Sequence, residues 1–239
     1  MSAGLILPDG GVARSLTRVV FESMRAKILT GHLKPGEKLS IAVLTRQFGV
    51  SLSAVREGLA RLTSEGWVES EDQRGFRVRG VSIEDLHDVT TARIEIEAAA
   101  LRRSIEHGDA AWEAELQTAF GQLQAATPRR SASRSGTAGW ARAHRRFHVA
   151  LLAACGSTRL LQFQQLLFEQ SERYRVLSGI VIAESRDVES EHQRIYDAAM
   201  ARDATAAVAA LREHFLLTAS ILNAARFAAQ SPLGKEIER

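Results

Sequence analysis

Nowhere beyond Ile83 do apolar and polar residues alternate as a half-buried strand requires. Helical segments are instead expected at about 83–107, 110–126, 138–154, 158–183, 187–201 and 204–229. Helices can bury their apolar stripes only against other helices, so this larger part should be an all-helical antiparallel bundle. The scarcity of proline (4 residues) and the alanine-rich stretches agree with that reading. Residues 128–136, Pro128 to Gly136, are poor in apolar side chains and are expected to form a mobile loop.

The first eighty residues have another pattern. Val19, Val20, Met24, Ile28 and Leu29 recur at helical spacing, and Gly31 and Pro35-Gly36 mark a stop and a turn after them. A second short helix is expected after Ser40, with Ile41, Leu44 and Phe48 on one side and Gly49 breaking it. A third starts after Ser51, with Val55, Leu59 and Leu62 forming its inward stripe. Trp67 to Ser70 and Phe76 to Arg79 suit two short strands around a hairpin loop at 71–75. The expected organisation is a loose tail at 1–13, a winged helix-turn-helix at 14–80, an all-helical domain at 81–229 and a tail at 230–239. The fold class is mainly α.

Composition narrows the setting. Hydrophobic residues make up 45% and charged residues 25%, ordinary values for a soluble protein. No apolar run of roughly 20 residues is apparent, so no membrane association is expected. Met1 to Gly11 has neither a basic start nor a long apolar core, so no signal peptide is expected. The single cysteine, Cys155, can form no internal disulfide, which fits a reducing cytoplasm. Residues 1–80 hold 12 Lys/Arg against 8 Asp/Glu, whereas the remainder holds 19 against 20. The basic excess thus sits in the part expected to be a helix-turn-helix, an electrostatic footprint suited to nucleic acid.

In a helix-turn-helix the second helix enters the major groove and presents its N-terminal side chains to base edges. Here those are Ser51, Leu52, Ser53 and Arg56, with Arg61 further along. An arginine can hold guanine O6 and N7 together, and a serine hydroxyl can reach base or phosphate. In the hairpin, Arg74 and Arg77 are candidates for phosphate contacts, and Gly75 would permit close backbone approach. The run Gly31 to Leu39, then Phe48-Gly49-Val50-Ser51, Val55-Arg56-Glu57, Glu65-Gly66-Trp67-Val68 and Gly75-Phe76-Arg77-Val78, resembles the winged-helix domain of the GntR superfamily over about residues 15–79. Two positions depart from that pattern, which commonly has Arg where Leu52 stands and Pro where Ala54 stands. Leu52 could touch a thymine methyl, or turn inward to join Leu59.

Four of the seven histidines form a second pattern. His144 and His148 are four residues apart and share a helix face. His192 and His214 fall on two later helices, each flanked by apolar residues at helical spacing. A lone inward histidine is ordinarily a hydrogen-bonded core residue. Four that converge point to a metal, because bundle interiors are where such sites are built. Neutral imidazoles suit zinc first among divalent transition metals, with nickel, iron or manganese as alternatives.

Residues 83–229 resemble the all-helical FCD ligand-binding domain of the FadR-type branch of the GntR superfamily. Its metal-binding members carry Asp-x-x-x-His and two later histidines. Phe147-His148, Glu191-His192 and His214 match, while His144 occupies the aspartate position. The resemblance implies that Arg93, in an Arg-x-x-x-Glu with Glu97, faces the cavity and helps hold a small carboxylate effector. The alternative is an ordinary surface pair at i, i+4. The expected molecule is therefore a cytoplasmic homodimeric regulator, in the repressor sense, that binds a pseudo-palindromic duplex and responds to an organic acid. No catalytic residues are expected. The competing readings are a metal-dependent hydrolase and a regulator whose metal is purely structural.

Overall fold

The computed structural model describes residues 16–71, 75–126, 136–178 and 187–230. The two expected tails (the second apart from its first residue), Arg74, most of the expected 128–136 loop and the end of the 158–183 helix lie outside the described residues. The chain divides into two compact units, Met1–Gly80 and Val81–Arg239.

In the first unit, α1 (Leu16–Leu29) buries Val20, Phe21, Met24 and Ile28. Helix α2 (Ile41–Phe48) is opened by Ser40, whose Oγ accepts from Val43 N at 3.4 Å. It is closed by Gly49 at φ 62°, a left-handed conformation that glycine adopts without steric cost. Helix α3 (Leu52–Ser64) begins at Ser51, whose Oγ accepts from Ala54 N at 3.2 Å. Its Val55, Gly58, Leu59 and Leu62 face inward. At Gly58 the helices come close: a Cβ there would sit 3.0 Å from Val20 Cγ1 on α1.

Strands β2 (Val68–Glu71) and β3 (Gly75–Val78) pair antiparallel, with Val68 opposite Val78. Each lies one residue away from its expected position. An additional strand, β1 (Lys38–Leu39), pairs with β3 and gives the order β1-β3-β2. Trp67, fully buried beside this sheet, ties it to the helical core.

The second unit contains, among the described residues, only helices: α4 (Ile83–His107), α5 (Ala110–Ala126), α6 (Gly136–Leu152), α7 (Thr158–Ser178), α8 (Val188–Met200) and α9 (Ala204–Gln230). Side-chain bonds between neighbours show them to be antiparallel. Tyr174 Oη donates to Asp85 at 2.5 Å while Arg103 Nε donates to Cys155 O at 2.7 Å, so α7 descends along α4. Trp112 Nε1 donates to Ala150 O at 2.9 Å and Arg146 pairs with Glu115, which sets α6 against α5. Arg194 pairs with Glu213 and Glu191 with His214, which sets α9 against α8. The core runs through Leu101, Leu116, Phe147, Leu151, Ile195 and Leu211.

One expectation from composition needs correcting. Ala204–Ala224 on α9 is, by length and composition alone, long and apolar enough to cross a membrane. It escapes notice in the sequence because Arg212, Glu213 and His214 interrupt it. Those polar residues would be costly at a bilayer centre. In the fold, α9 is instead a bundle helix that packs on α4 and α8.

Candidate metal centre and nucleic-acid interface

The histidine face of α6 turns inward because Phe147 and Leu151 carry the apolar stripe beside it, both fully buried. This places His144 and His148 one turn apart inside the bundle. His192 from α8 and His214 from α9 join them, and all four are buried. Their ligand-capable atoms lie within 4.8 Å of one another. That is the scale of a four-coordinate site, whose bonds to nitrogen run about 2.0–2.1 Å.

The polar bookkeeping of this cluster favours an ion. His144 Nδ1 and both ring nitrogens of His148 are buried without a hydrogen-bond partner. Leaving such an atom unsatisfied costs about 1–3 kcal/mol, and coordination would remove that cost for one nitrogen of each ring. His214 Nδ1 lies 2.8 Å from Glu191 Oε2, so its Nε2 remains for a ligand bond. Behind His148, Glu97 Oε2 stands 3.8 Å from Nδ1. Burial, with the charges of the other three histidines and Arg175 added, holds the His144 imidazole well below its ordinary value. Burial also lowers His148, against an opposing pull from Glu97. Both rings are therefore neutral near pH 7, the form that coordinates a metal.

Arg93 and Glu97 are not a surface pair. Both are buried, and Arg93 Nε donates to Glu97 Oε1 at 2.6 Å. Arg93 Nη1 donates to Ser171 Oγ at 3.2 Å, and the guanidinium lies 4.0 Å from the Phe215 ring centroid. Its Nη2 is buried without a partner. Burial alone would raise the Glu97 carboxyl, but Arg93 and His148 outweigh it and leave the group below its ordinary value. Arg93, His144 and His214 line one recess, together with Trp140, Ser171 and Arg175. Trp140 lies flat on His144, with centroids 4.6 Å apart and planes 17° apart. Arg175 sits over Trp140 and is held by Glu172. Ser171 and Arg175 were not anticipated, although their i, i+4 spacing on α7 was visible in the sequence.

In the first unit, Ser51, Leu52, Ser53 and Arg56 are all exposed at the start of α3. Ser51 Oγ is committed to the helix cap. Leu52 does not turn inward to Leu59: it is 52% exposed. Among the described residues the Arg56 side chain has no intramolecular hydrogen bond or ion pair. Arg61 differs, because its guanidinium stacks 3.9 Å from the Phe21 ring centroid and pairs with Glu65 at 3.5 Å. Arg77 is likewise engaged, donating to Glu71 at 2.9 Å and to Gly36 O at 2.5 Å. Gly75 opens β3 at φ 94°.

A winged helix-turn-helix followed by a helical domain with a buried histidine cluster defines a DNA-binding transcription regulator with a separate helical module. Comparison with known proteins agrees in both parts. Residues 16–78 match the family model described as bacterial regulatory proteins, gntR family, and residues 88–217 match the FCD domain. The chain is 36% identical over 210 residues to the HTH-type transcriptional regulator BphR of Paraburkholderia xenovorans (strain LB400), covering 87% of this chain and 86% of that one. It is 31% identical over 206 residues to the HTH-type transcriptional repressor GlaR of Escherichia coli (strain K12), covering 84% and 93%. The solved structure of E. coli McbR/YncC superposes with a TM-score of 0.70 at 26% identity, covering 89% of this chain and 99% of that one. The chain belongs to the GntR family of transcription regulators, in the branch that carries an FCD domain. Its relatives are transcription regulators, which sets the hydrolase alternative aside.

Proposed function

We propose that this regulator is a repressor whose FCD domain senses a small organic acid at a divalent metal held by His144, His148, His192 and His214. The observation that carries the reading is the convergence of these four buried imidazoles beside a recess that also contains Arg93. A set without a carboxylate ligand favours zinc, with nickel or iron next and manganese last. When bound, such an ion supplies a Lewis-acidic point at which a carboxylate oxygen can coordinate. The chain's own part is to orient that acid. Arg93 Nη2 offers a buried donor, Trp140 walls the recess, and Glu97 anchors Arg93 through its Nε.

On the DNA side, Ser51, Leu52, Ser53 and Arg56 form the surface presented to base edges. Arg77 and Gly75 belong to the wing that would track the phosphates, and Arg61 supports α3 from its contact with Phe21. In a homodimer, two such helices about 34 Å apart would read the halves of a pseudo-palindromic operator. The repressor sense takes support from the similarity to GlaR, which is named a repressor. An effector would shift DNA occupancy only by its differential affinity for the DNA-competent and DNA-incompetent states.

The test is a metal analysis of the purified full chain beside His148→Ala. We expect about one ion per chain in the wild type and a large loss in the variant, because one of the four protein ligands is removed. Full metal retention in His148→Ala would show that the ion sits elsewhere.

A further inference from the structure

Leu52 is a large aliphatic side chain that the folded domain leaves half-exposed. The inward stripe of α3 is complete with Val55, Leu59 and Leu62, each fully buried. Leu52 is the first residue of the helix, directly after the Ser51 cap, and is 52% exposed. Around it the outward face holds Ser53 and Arg56, and Arg56 has no intramolecular partner among the described residues. Arg61, one turn on, is already committed to Phe21 and Glu65. The free reading surface therefore offers one apolar group, one hydroxyl and one guanidinium.

The exposed half of this leucine is more stable against an apolar partner than in water. Covering requires an apolar partner, and the inference rests on the reading above that the start of α3 meets duplex DNA. The major groove exposes a single apolar feature among its base edges, the C5-methyl of thymine. The N-terminal residues of the second helix are those that reach base edges. We propose that Leu52 is a specificity-determining residue that reads a thymine methyl in each operator half-site. The proposal does not depend on the metal centre.

Replacing thymine by deoxyuridine removes that methyl and leaves the hydrogen-bonding edge intact. Purified full chain would first be used to select bound duplexes from a randomised pool. Each thymine of the selected site would then be changed singly to deoxyuridine. The wild type should lose affinity about three- to tenfold at one position per half-site, the scale of one methyl withdrawn from an apolar contact. Leu52→Ala should still bind but be indifferent to deoxyuridine at that same position. The exposure of Leu52 makes this variant safe for folding, and its melting temperature checks that. Arg56→Ala serves as a control, because it should weaken binding yet keep the methyl sensitivity. A wild type indifferent to every thymine methyl, or a Leu52→Ala protein that keeps the sensitivity, overturns the proposal. Failure of the chain to enrich any sequence would strike at DNA binding itself.

Discussion

The Glu97 carboxylate is buried between the Arg93 guanidinium, 2.6 Å away, and Nδ1 of His148, 3.8 Å away. At 3.8 Å the carboxylate is beyond hydrogen-bond reach of that ring and acts on it through its charge, and losing a carboxylate that supports a ligating histidine typically lowers metal affinity about 10–100-fold. Glu97→Gln keeps the shape and removes the charge, so its zinc affinity should fall within that range in a chelator-competition titration. An unchanged affinity would mean that His148 is oriented by something other than Glu97. The depressed imidazoles make a second prediction at this scale, for the metal-free protein. A histidine whose folded value lies below its unfolded value near 6.5 binds fewer protons when folded. Its contribution to stability is complete above that pH and is lost as the pH falls below it. Urea midpoints of chelator-treated protein should therefore be level from pH 8 to 7 and decline from about 6.5 downward, and a rise on acidification would contradict this. The four histidines were legible because each sits on an apolar stripe of its own helix. The pairing of Glu191 with His214 was not, because it joins residues on different helices. Arg61 and Glu65 are an i, i+4 pair, but spacing could not reveal that Arg61 stacks on Phe21 or that Arg77 bonds Glu71 and Gly36.

Among the elements, the contact of α1 with α3 through Gly58 is the tightest to alter in the first unit. A methyl there would meet Val20 Cγ1 at 3.0 Å and Cβ at 3.2 Å. Val20 is fully buried and β-branched, so it has little freedom to rotate away. Overpacking costs about 1–3 kcal/mol, and the better helix propensity of alanine returns up to about 1 kcal/mol. Gly58→Ala should therefore lower stability by about 1 kcal/mol in denaturant unfolding, and a gain would show that α1 can step back. Helix limits were read from the sequence to within about two residues wherever their ends are described, because Ser40, Ser51 and Ser82 cap from their side chains and Gly49 stops α2. Helix α6 ends two residues earlier than expected, at Leu152. Strand β1 was invisible because two residues have no periodicity, and it exists only because β3 offers it an edge.

For the whole molecule, the boundary at Gly80 coincides with the point where strand chemistry gives way to the Ser82 cap. Two compact units allow an ion to act on one of them. Ligand bound to the folded form alone stabilises it by about 2.7 kcal/mol at a hundred times its dissociation constant. Zinc should therefore raise hydrogen-exchange protection in the bundle helices α4 and α6 to α9, with little change over residues 16–78. Equal gains in both units would place the ion outside the histidine cluster. Trp140 adds a practical consequence. Its indole lies flat on one of the four imidazoles, while the other two tryptophans, Trp67 and Trp112, are walled into hydrophobic cores. Ultraviolet emission from that single ring is therefore wired to the state of the cluster, and subtracting the spectrum of Trp140→Phe would turn the protein into its own occupancy meter, with no dye or label attached.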